Sequence, residues 1–425
     1  MLYDLHELQR AFLNPLASFT DSGSQLFSHP YSPLAYTPMS RHLAATYELV
    51  HRLGKDYEKP EWHLKKTVID GQEVAVSVGN VLEKSFCNLI HFERDLPADR
   101  PADPRVLLVA PLSGHHATLL RDTVRSLLPG HDVYVTDWID ARMVPQSKGP
   151  FHLNDYVHYV RDFLRYLGPN THVISVCQPT VPVMAAISLM AADNDPCQPT
   201  SMVMMGGPID TRESPTQVNK LATTKPYSWF EDTVIHRVPS RYPGSGRRVY
   251  PGFLQHTGFV AMNPDRHMKS HYDFYLDLLR GDDDDAESHR RFYDEYNAVL
   301  DLPAEFYLDT IVTVFQEHSL PRKTWEIDGQ IVDPAAISKT ALLTVEGELD
   351  DISGLGQTRA ALTLCSNIPA ERKQHYTVKG AGHYGIFSGR RWRKIICPMI
   401  AEFIRKAETA PASTTLAGSS DRPAA

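Results

Sequence analysis

Cysteine is scarce in this chain, and its five thiols are scattered. Cys87, Cys177, Cys197, Cys365 and Cys397 are odd in number and include no Cys-x-x-Cys pair. Neither a disulfide framework nor a structural zinc site is expected, and free thiols suit a reducing compartment. Positive charge is not in excess either. The 43 Lys and Arg against 51 Asp and Glu leave a net charge of −8, which argues against the basic stripe of a nucleic-acid binder. The longest mostly apolar run, Val181–Ala192, falls well short of the ~20 residues a membrane-spanning helix needs. The opening residues show no basic segment leading into an apolar one, so no secretory signal is expected. No internal repeat is visible. Together these absences predict a soluble cytoplasmic protein with no membrane span, nucleic-acid partner, metal or cofactor.

What is present is material for a large core. With 42% hydrophobic residues over 425 positions, the chain can form one large domain with an insertion, or two domains. Residues 1–60 read as an N-terminal helical arm. Leu2, Leu5, Leu8, Phe12 and Leu13 recur at helical spacing, a Pro/Ser/Tyr-rich stretch follows over 27–39, and a second helix is expected over 40–53. Such an arm ordinarily packs on the core; its density of Phe, Tyr, Leu and Pro also suits a surface-binding role. Three short alternating segments, 63–70, 72–78 and 87–92, predict antiparallel strands, with Asp70-Gly71 as a hairpin turn.

From about 105 strands alternate with helices. Strands are expected at 105–111, 132–138, 172–176 and 201–205, and helices at 117–128, 153–167 and 179–192. This alternation predicts a doubly wound, mostly parallel sheet. Residues 210–338 break the rhythm with aromatics, further helices at 272–279, 292–300 and 306–315, and an acidic run, Asp282–Asp285, expected to be a solvated loop. An insertion of this size suggests a cap. The α/β pattern resumes over 339–406, with strands at 341–346 and 374–378, and the first core part is assigned to 61–209. Residues 407–425, rich in Ala, Ser, Thr and Pro, read as a disordered tail.

The chemistry centres on Cys177. A β-branched run ends at Val176, and a helix-like run begins at Pro179. A strand that turns this abruptly into a helix presents the turn residue at the carboxyl edge of the sheet, as in the nucleophile turn of α/β-hydrolases. That turn usually reads Gly-x-Ser-x-Gly; here it reads Ser175-Val-Cys177-Gln-Pro179, and proline at the first helical turn forgoes an N–H that would lack a partner anyway. Asp350 follows a later strand and His383 lies in a Gly-rich loop after the last. The order nucleophile, acid, histidine is that of α/β-hydrolases, and predicts a thiol activated by an oriented imidazole. Asp351, Glu346 and Glu348 are near Asp350, which is favoured by its Gly-x-x-Asp spacing. An oxyanion hole would use the backbone N–H of Gln178 and one from the loop after the first core strand, Leu112 or Ser113. In that loop His115 and His116 are expected to contact substrate; two adjacent histidines without a third partner make a poor metal site.

These residues carry a resemblance to the intracellular poly(3-hydroxybutyrate) depolymerases of storage-granule bacteria. It runs through Met1-Leu-Tyr-Asp-Leu-His-Glu-Leu-Gln-Arg10, Ala110-Pro-Leu-Ser-Gly-His-His116, Val135-Thr-Asp-Trp-Ile-Asp-Ala-Arg142 and Val176-Cys-Gln-Pro179, then Glu346-Gly-Glu-Leu-Asp-Asp351 and Gly380-Ala-Gly-His383. The resemblance implies an α/β-hydrolase fold, a thiol esterase with Cys177, Asp350 and His383 as its triad, and a polyhydroxyalkanoate granule as partner and substrate. The implied products are 3-hydroxybutyrate oligomers or monomers. That family is similar in turn to polyester synthases, so a coenzyme A-linked hydroxyacyl transferase is the alternative enzyme. A non-catalytic granule-associated protein is the alternative outside catalysis.

Overall fold

The inner parallel strands are rich in apolar residues because both of their faces are covered. In the computed structural model, which describes residues 2–262 and 264–409, they sit at the middle of one nine-stranded sheet. Its strands are β1 (Lys66–Ile69), β2 (Gln72–Glu83), β3 (Cys87–Arg94), β4 (Arg105–Val109), β5 (Asp132–Trp138), β6 (Thr171–Val176), β7 (Ser201–Met205), β8 (Ala341–Gly347) and β9 (Lys373–Val378). The spatial order is β1-β2-β3-β5-β4-β6-β7-β8-β9. β1, β2 and β3 join by antiparallel pairing, β3 is antiparallel to β5, and every later pairing is parallel. Strand order reverses around β4, the signature of a doubly wound sheet. Every residue of β6 and β8 is buried.

Local chemistry accounts for most elements. Asp70 and Gly71 both take positive φ, 51° and 79°, the type I′ geometry that lets Ile69 pair with Gln72. Helix α4 (Leu153–Leu167) buries Val157, Val160, Phe163 and Leu164 along one face. Helix α5 (Thr180–Ala192) is apolar on all sides, and everything from Thr180 to Met190 is buried. The longest apolar run is therefore a core helix, and among the described residues no helix is long and apolar enough to cross a membrane.

Between β7 and β8 the chain leaves the sheet and builds a helical layer over its carboxyl edge. This layer contains α8 (Gly252–Met262), α9 (Pro264–Arg280), α10 (Asp283–Asn297) and a three-stranded patch formed by 236–237, 248–250 and 302–303. Two expectations fail here. The acidic run is not a loop: Asp282 caps α10 by accepting the Asp285 N–H at 3.3 Å, and Asp283, Asp284 and Asp285 form its first turn. Carboxylates there compensate orphan N–H groups and the positive end of the helix dipole. Nor does that helix reach Leu300; it ends at Asn297, because Val299 bridges to His115 and Leu300 N–H bonds to the Gly114 carbonyl at 2.8 Å.

At the N-terminus α1 (Leu2–Ser28) and α2 (Ser40–Gly54) form an antiparallel hairpin, with His51 bonded to the Ala17 carbonyl and Phe27 stacked on Tyr47. α1 runs well past Leu13, through Pro15. The hairpin is tied to the cap layer by Tyr3 to Asp301 (2.6 Å), Arg52 to Asp294 (2.9 Å) and Arg290 to Glu48 (2.6 Å). The last helix spans Cys397–Thr409 and buries Ala407, so the expected tail does not begin at 407; the remainder of that expectation, 410–425, lies outside the described residues.

Candidate active site

Three parallel strands deliver the candidate residues to one edge. β6 ends at Val176, paired with Met205 of β7, and Met205 pairs with Val345 of β8. Cys177 follows at φ 70°, in the left-handed region a non-glycine residue occupies only at a cost of order 1–2 kcal/mol. Three contacts hold this turn. Cys177 N–H donates to the Met205 carbonyl at 2.7 Å, and the Cys177 carbonyl accepts from Thr180 N–H at 3.2 Å and Thr180 Oγ1 at 3.0 Å. Pro179 precedes the first residue of α5, and its carbonyl takes the Val183 N–H at 2.9 Å. Proline thus occupies the one turn where its missing N–H costs nothing. Cys177 is half-buried, whereas Cys87, Cys365 and Cys397 are buried; burial pushes the Cys365 and Cys397 thiols up to about 12.

Asp350 and His383 meet at this edge. His383 Nδ1 bonds to Asp350 Oδ2 at 2.8 Å, with both side chains at least nine-tenths buried. The other Asp350 oxygen accepts the N–H groups of Ile352 and Ser353, each at 2.9 Å, so the carboxylate cannot swing away without losing them. Burial pushes His383 toward its neutral form. The Cys177 sulfur and the Asp350 carboxylate outweigh that, by charge and by hydrogen bonding, and hold the imidazole well above its ordinary value. The structure therefore brings Cys177, His383 and Asp350 together, with Nδ1 committed to the acid and Nε2 left for the thiol.

The neighbouring carboxylates have other partners. Glu346 accepts the N–H groups of Gly356 and Arg359, at 3.1 and 2.8 Å, and Glu348 accepts the Gly380 N–H at 2.7 Å. They tie down the loops on either side. Asp351 lines a cavity.

The loop after β4 starts beside the elbow, because Val109 pairs with Ser175. It carries Leu112, buried, and Ser113, half-buried. His115 is turned toward the cap layer. Its Nε2 meets the Tyr296 carbonyl at 3.2 Å and its ring stacks on Phe259 at 4.9 Å; burial lowers it to about 4. His116 is buried with Nδ1 unpartnered, and burial, helped by the Lys59 and Arg142 charges, lowers it to about 3. The Gln178 side chain is also buried, with neither amide atom partnered. Two orphan polar groups thus belong to the elbow and the adjoining loop, each costing about 1–3 kcal/mol if left unsatisfied.

Two residues of the site carried no role in the sequence reading. Gly206 takes φ 55°, and a Cβ there would stand 2.6 Å from Ile386 Cδ1, 3.3 Å from His383 Cε1 and 3.4 Å from Asp350 Oδ2. At Gly207 a Cβ would lie 1.8 Å from Thr180 Oγ1, and Gly207 exchanges hydrogen bonds with Thr358 Oγ1 at 2.8 and 2.9 Å. The one available signal was a Gly-Gly pair at a strand's end, where close backbone approach is common.

A cavity of about 400 Å³ opens between the cap layer and the histidine loop, lined by Phe259, Phe292, Tyr296, Leu349 and His383 among others. His383 faces it; Cys177 does not line it. A larger cleft of about 580 Å³, between Arg125 and the C-terminal helix, holds none of the candidate residues.

A doubly wound sheet with a strand–Cys177–helix elbow, and an acid and a histidine after the last two strands, defines an α/β-hydrolase fold. Residues 206–408 match the family described as PHB de-polymerase C-terminus. The match takes in the cap layer, Asp350 and His383, and leaves Cys177 outside. Among solved structures the chain is similar to the monoacylglycerol lipase of Paleococcus ferrophilus (12% identity, 79% of this chain and 100% of that one, TM-score 0.42). It is also similar to a thermophilic esterase from Thermogutta terrifontis (12%, 81% and 98%, 0.40) and a hydrolase from Pseudomonas aeruginosa PA01 (12%, 79% and 99%, 0.43). Comparison with curated protein sequences returned no match.

Proposed function

We propose that the chain is a polyhydroxyalkanoate depolymerase that hydrolyses amorphous poly(3-hydroxybutyrate) at the surface of cytoplasmic granules. The observation that carries this reading is the contact of His383 with both Asp350 and Cys177, in a chain whose second half matches a PHB depolymerase domain.

In this mechanism His383 takes the Cys177 proton and the sulfur attacks an ester carbonyl. The oxyanion is met by the N–H groups of Gln178 and of Leu112 or Ser113. As the tetrahedral adduct collapses, His383 returns the proton to the leaving hydroxyl of the polymer, and a thioester remains. Water, deprotonated by His383, then attacks that thioester, releases a free acid and restores the thiol. Asp350 orients the ring and stabilises its cation throughout. His116 and the Gln178 amide, neutral and unpartnered, supply polar contacts for the ester oxygens. His115 acts indirectly, by fixing the loop to the cap.

The test is intact-mass detection of an acyl adduct on Cys177 after exposure to a 3-hydroxybutyrate ester, together with Cys177→Ala on native granules. Full granule hydrolysis by a folded Cys177→Ala protein would sink the reading. Running the granule assay with and without free coenzyme A separates hydrolysis from acyl transfer, since transfer yields thioesters in place of free acids. Wild-type protein that binds granules, releases no product and forms no acyl adduct would point to a non-catalytic granule protein.

A further inference from the structure

Helix α1 is amphipathic in the reverse sense from an ordinary surface helix. Leu5, Leu8, Phe12, Leu16, Phe19 and Leu26 are 60, 56, 76, 49, 63 and 49% exposed. At 100° per residue all six fall within a sector of roughly 80°. The polar side is the one used against the protein. Tyr3 donates to Asp301, Glu7 pairs with Arg241 and accepts from Tyr242, and Arg10 pairs with Asp56. Surface helices normally bury the apolar face and expose the polar one.

The stripe from Leu5 to Leu26 is about 30 Å long and exposes roughly 700 Å² of apolar side chain, taking 150–250 Å² as the size of a large apolar residue. A contiguous patch above a few hundred Å² marks an interaction site on a soluble protein. Two such stripes face to face would bury roughly 1,400 Å², within the standard size of a stable complex, so area alone does not choose between a second copy and another partner. Charge decides further. No Lys, Arg, Asp or Glu falls within the sector, and the one basic residue of α1, Arg10, is tied to Glu7 and Asp56. Helices that lie on anionic lipid carry Lys and Arg on a free polar face; this one has none to offer, on a chain of net charge −8. The stripe is complementary to a water-insoluble surface that bears no charge.

Resting on the reading of the preceding subsection, we propose that the α1 stripe is the docking face for an uncharged aliphatic polyester surface. The arm is locked to the cap layer through Arg52–Asp294 and Arg290–Glu48. On that layer Met268, Tyr272 and Phe292 are exposed, and Phe292 lines the cavity that His383 faces. Adsorption through α1 therefore carries the cap and its cavity to the polymer.

The test uses the full chain with Leu8→Gln, Phe12→Gln and Phe19→Gln combined, all at exposed positions. Docking is read as co-sedimentation with amorphous poly(3-hydroxybutyrate) particles in a Cys177→Ala background, so it does not depend on turnover. The expected result is at least a tenfold weaker association with particles. In the active background, polymer hydrolysis should fall in proportion while p-nitrophenyl butyrate hydrolysis stays within twofold. Undiminished sedimentation of the triple variant overturns the proposal, as does binding to phosphatidylglycerol vesicles that is tighter than binding to the polymer. A wild-type dimer that the triple substitution dissociates, with polymer binding unchanged, assigns the stripe to a second copy and overturns it too. Failure of the wild type to cleave the polymer while Cys177→Ala still sediments with it would defeat the proposed function and leave the docking face standing.

Discussion

Replacing Gly206 by alanine tests whether the elbow, the acid and the histidine form one packed unit. The new methyl would stand 2.6 Å from Ile386 Cδ1, 3.3 Å from His383 Cε1 and 3.4 Å from Asp350 Oδ2. Carbon atoms prefer separations of about 3.5–4.0 Å, so the buried Ile386 side chain must move by roughly 1 Å and His383 by a few tenths. The backbone adds its own cost, because φ is 55° and a Cβ there is worth about 1–2 kcal/mol of strain. Overpacking adds about 1–3 kcal/mol, for a total of roughly 2–5 kcal/mol. A domain of ordinary stability, about 5–15 kcal/mol, stays folded under that load. Catalysis should suffer more visibly, since a misplacement near 1 Å in an active site costs about a hundredfold; a tenfold to hundredfold drop in kcat/KM is expected. The assay is p-nitrophenyl butyrate hydrolysis beside urea denaturation of the same preparation. Ile386→Val removes the methyl that is struck, so the double variant should recover part of both losses through coupling between neighbours. Gly206→Ala protein that unfolds at the expected lower urea concentration yet keeps activity within threefold of wild type would refute the reasoning.

Other substitutions follow from the same geometry. Cys177→Gly should abolish ester hydrolysis while unfolding no earlier than wild type in urea, because glycine relieves the positive φ at the elbow; a marked loss of stability would contradict a strained cysteine there. The Cys177 and Asp350 charges raise His383 well above its ordinary value, so the stability this charged ring contributes is complete below about pH 6.5 and is lost as pH rises through the folded value. Asp350→Asn should move that alkaline loss to lower pH and cut kcat by up to about four orders of magnitude, read from pH–rate and pH–stability profiles. Burial and the nearby Asp301 charge push Asp140 up to about 7, so stability should fall between about pH 4 and 7 as its proton leaves. Asp301→Asn should flatten that slope in urea titrations across the range.

Cys177 and Asp350 could be singled out because each follows a strand whose apolar, β-branched run is legible without a structure, and His383 because it lies in a Gly-rich loop later in the chain. Buried parallel strands are rich in apolar residues, and a helix that follows such a strand after three residues forces an elbow whatever else the chain does. The hairpin at Asp70-Gly71 and the bounds of α4 were legible for the same local reason. Asp282–Asp285 misled because a charge block reads as solvated unless one knows a helix starts there, and its cap depends on the chain direction that follows.

Tertiary structure decided what depends on partners distant in sequence. Glu346 and Glu348 are carboxylates as good as Asp350 in composition, and only the folds of loops 354–359 and 379–383 give each its own N–H groups. His115 belongs to the cap because Phe259 and Tyr296, more than a hundred positions away, close around it. Gly206 is needed because Ile386 and His383 arrive beside it from another strand. The apolar spacing of α1 was legible from residue 2 onward, but periodicity reports that a helix has two faces and is silent on which one the protein covers. That choice fell to Asp301, Arg241 and Asp56, which bind the polar face and leave the apolar one to solvent.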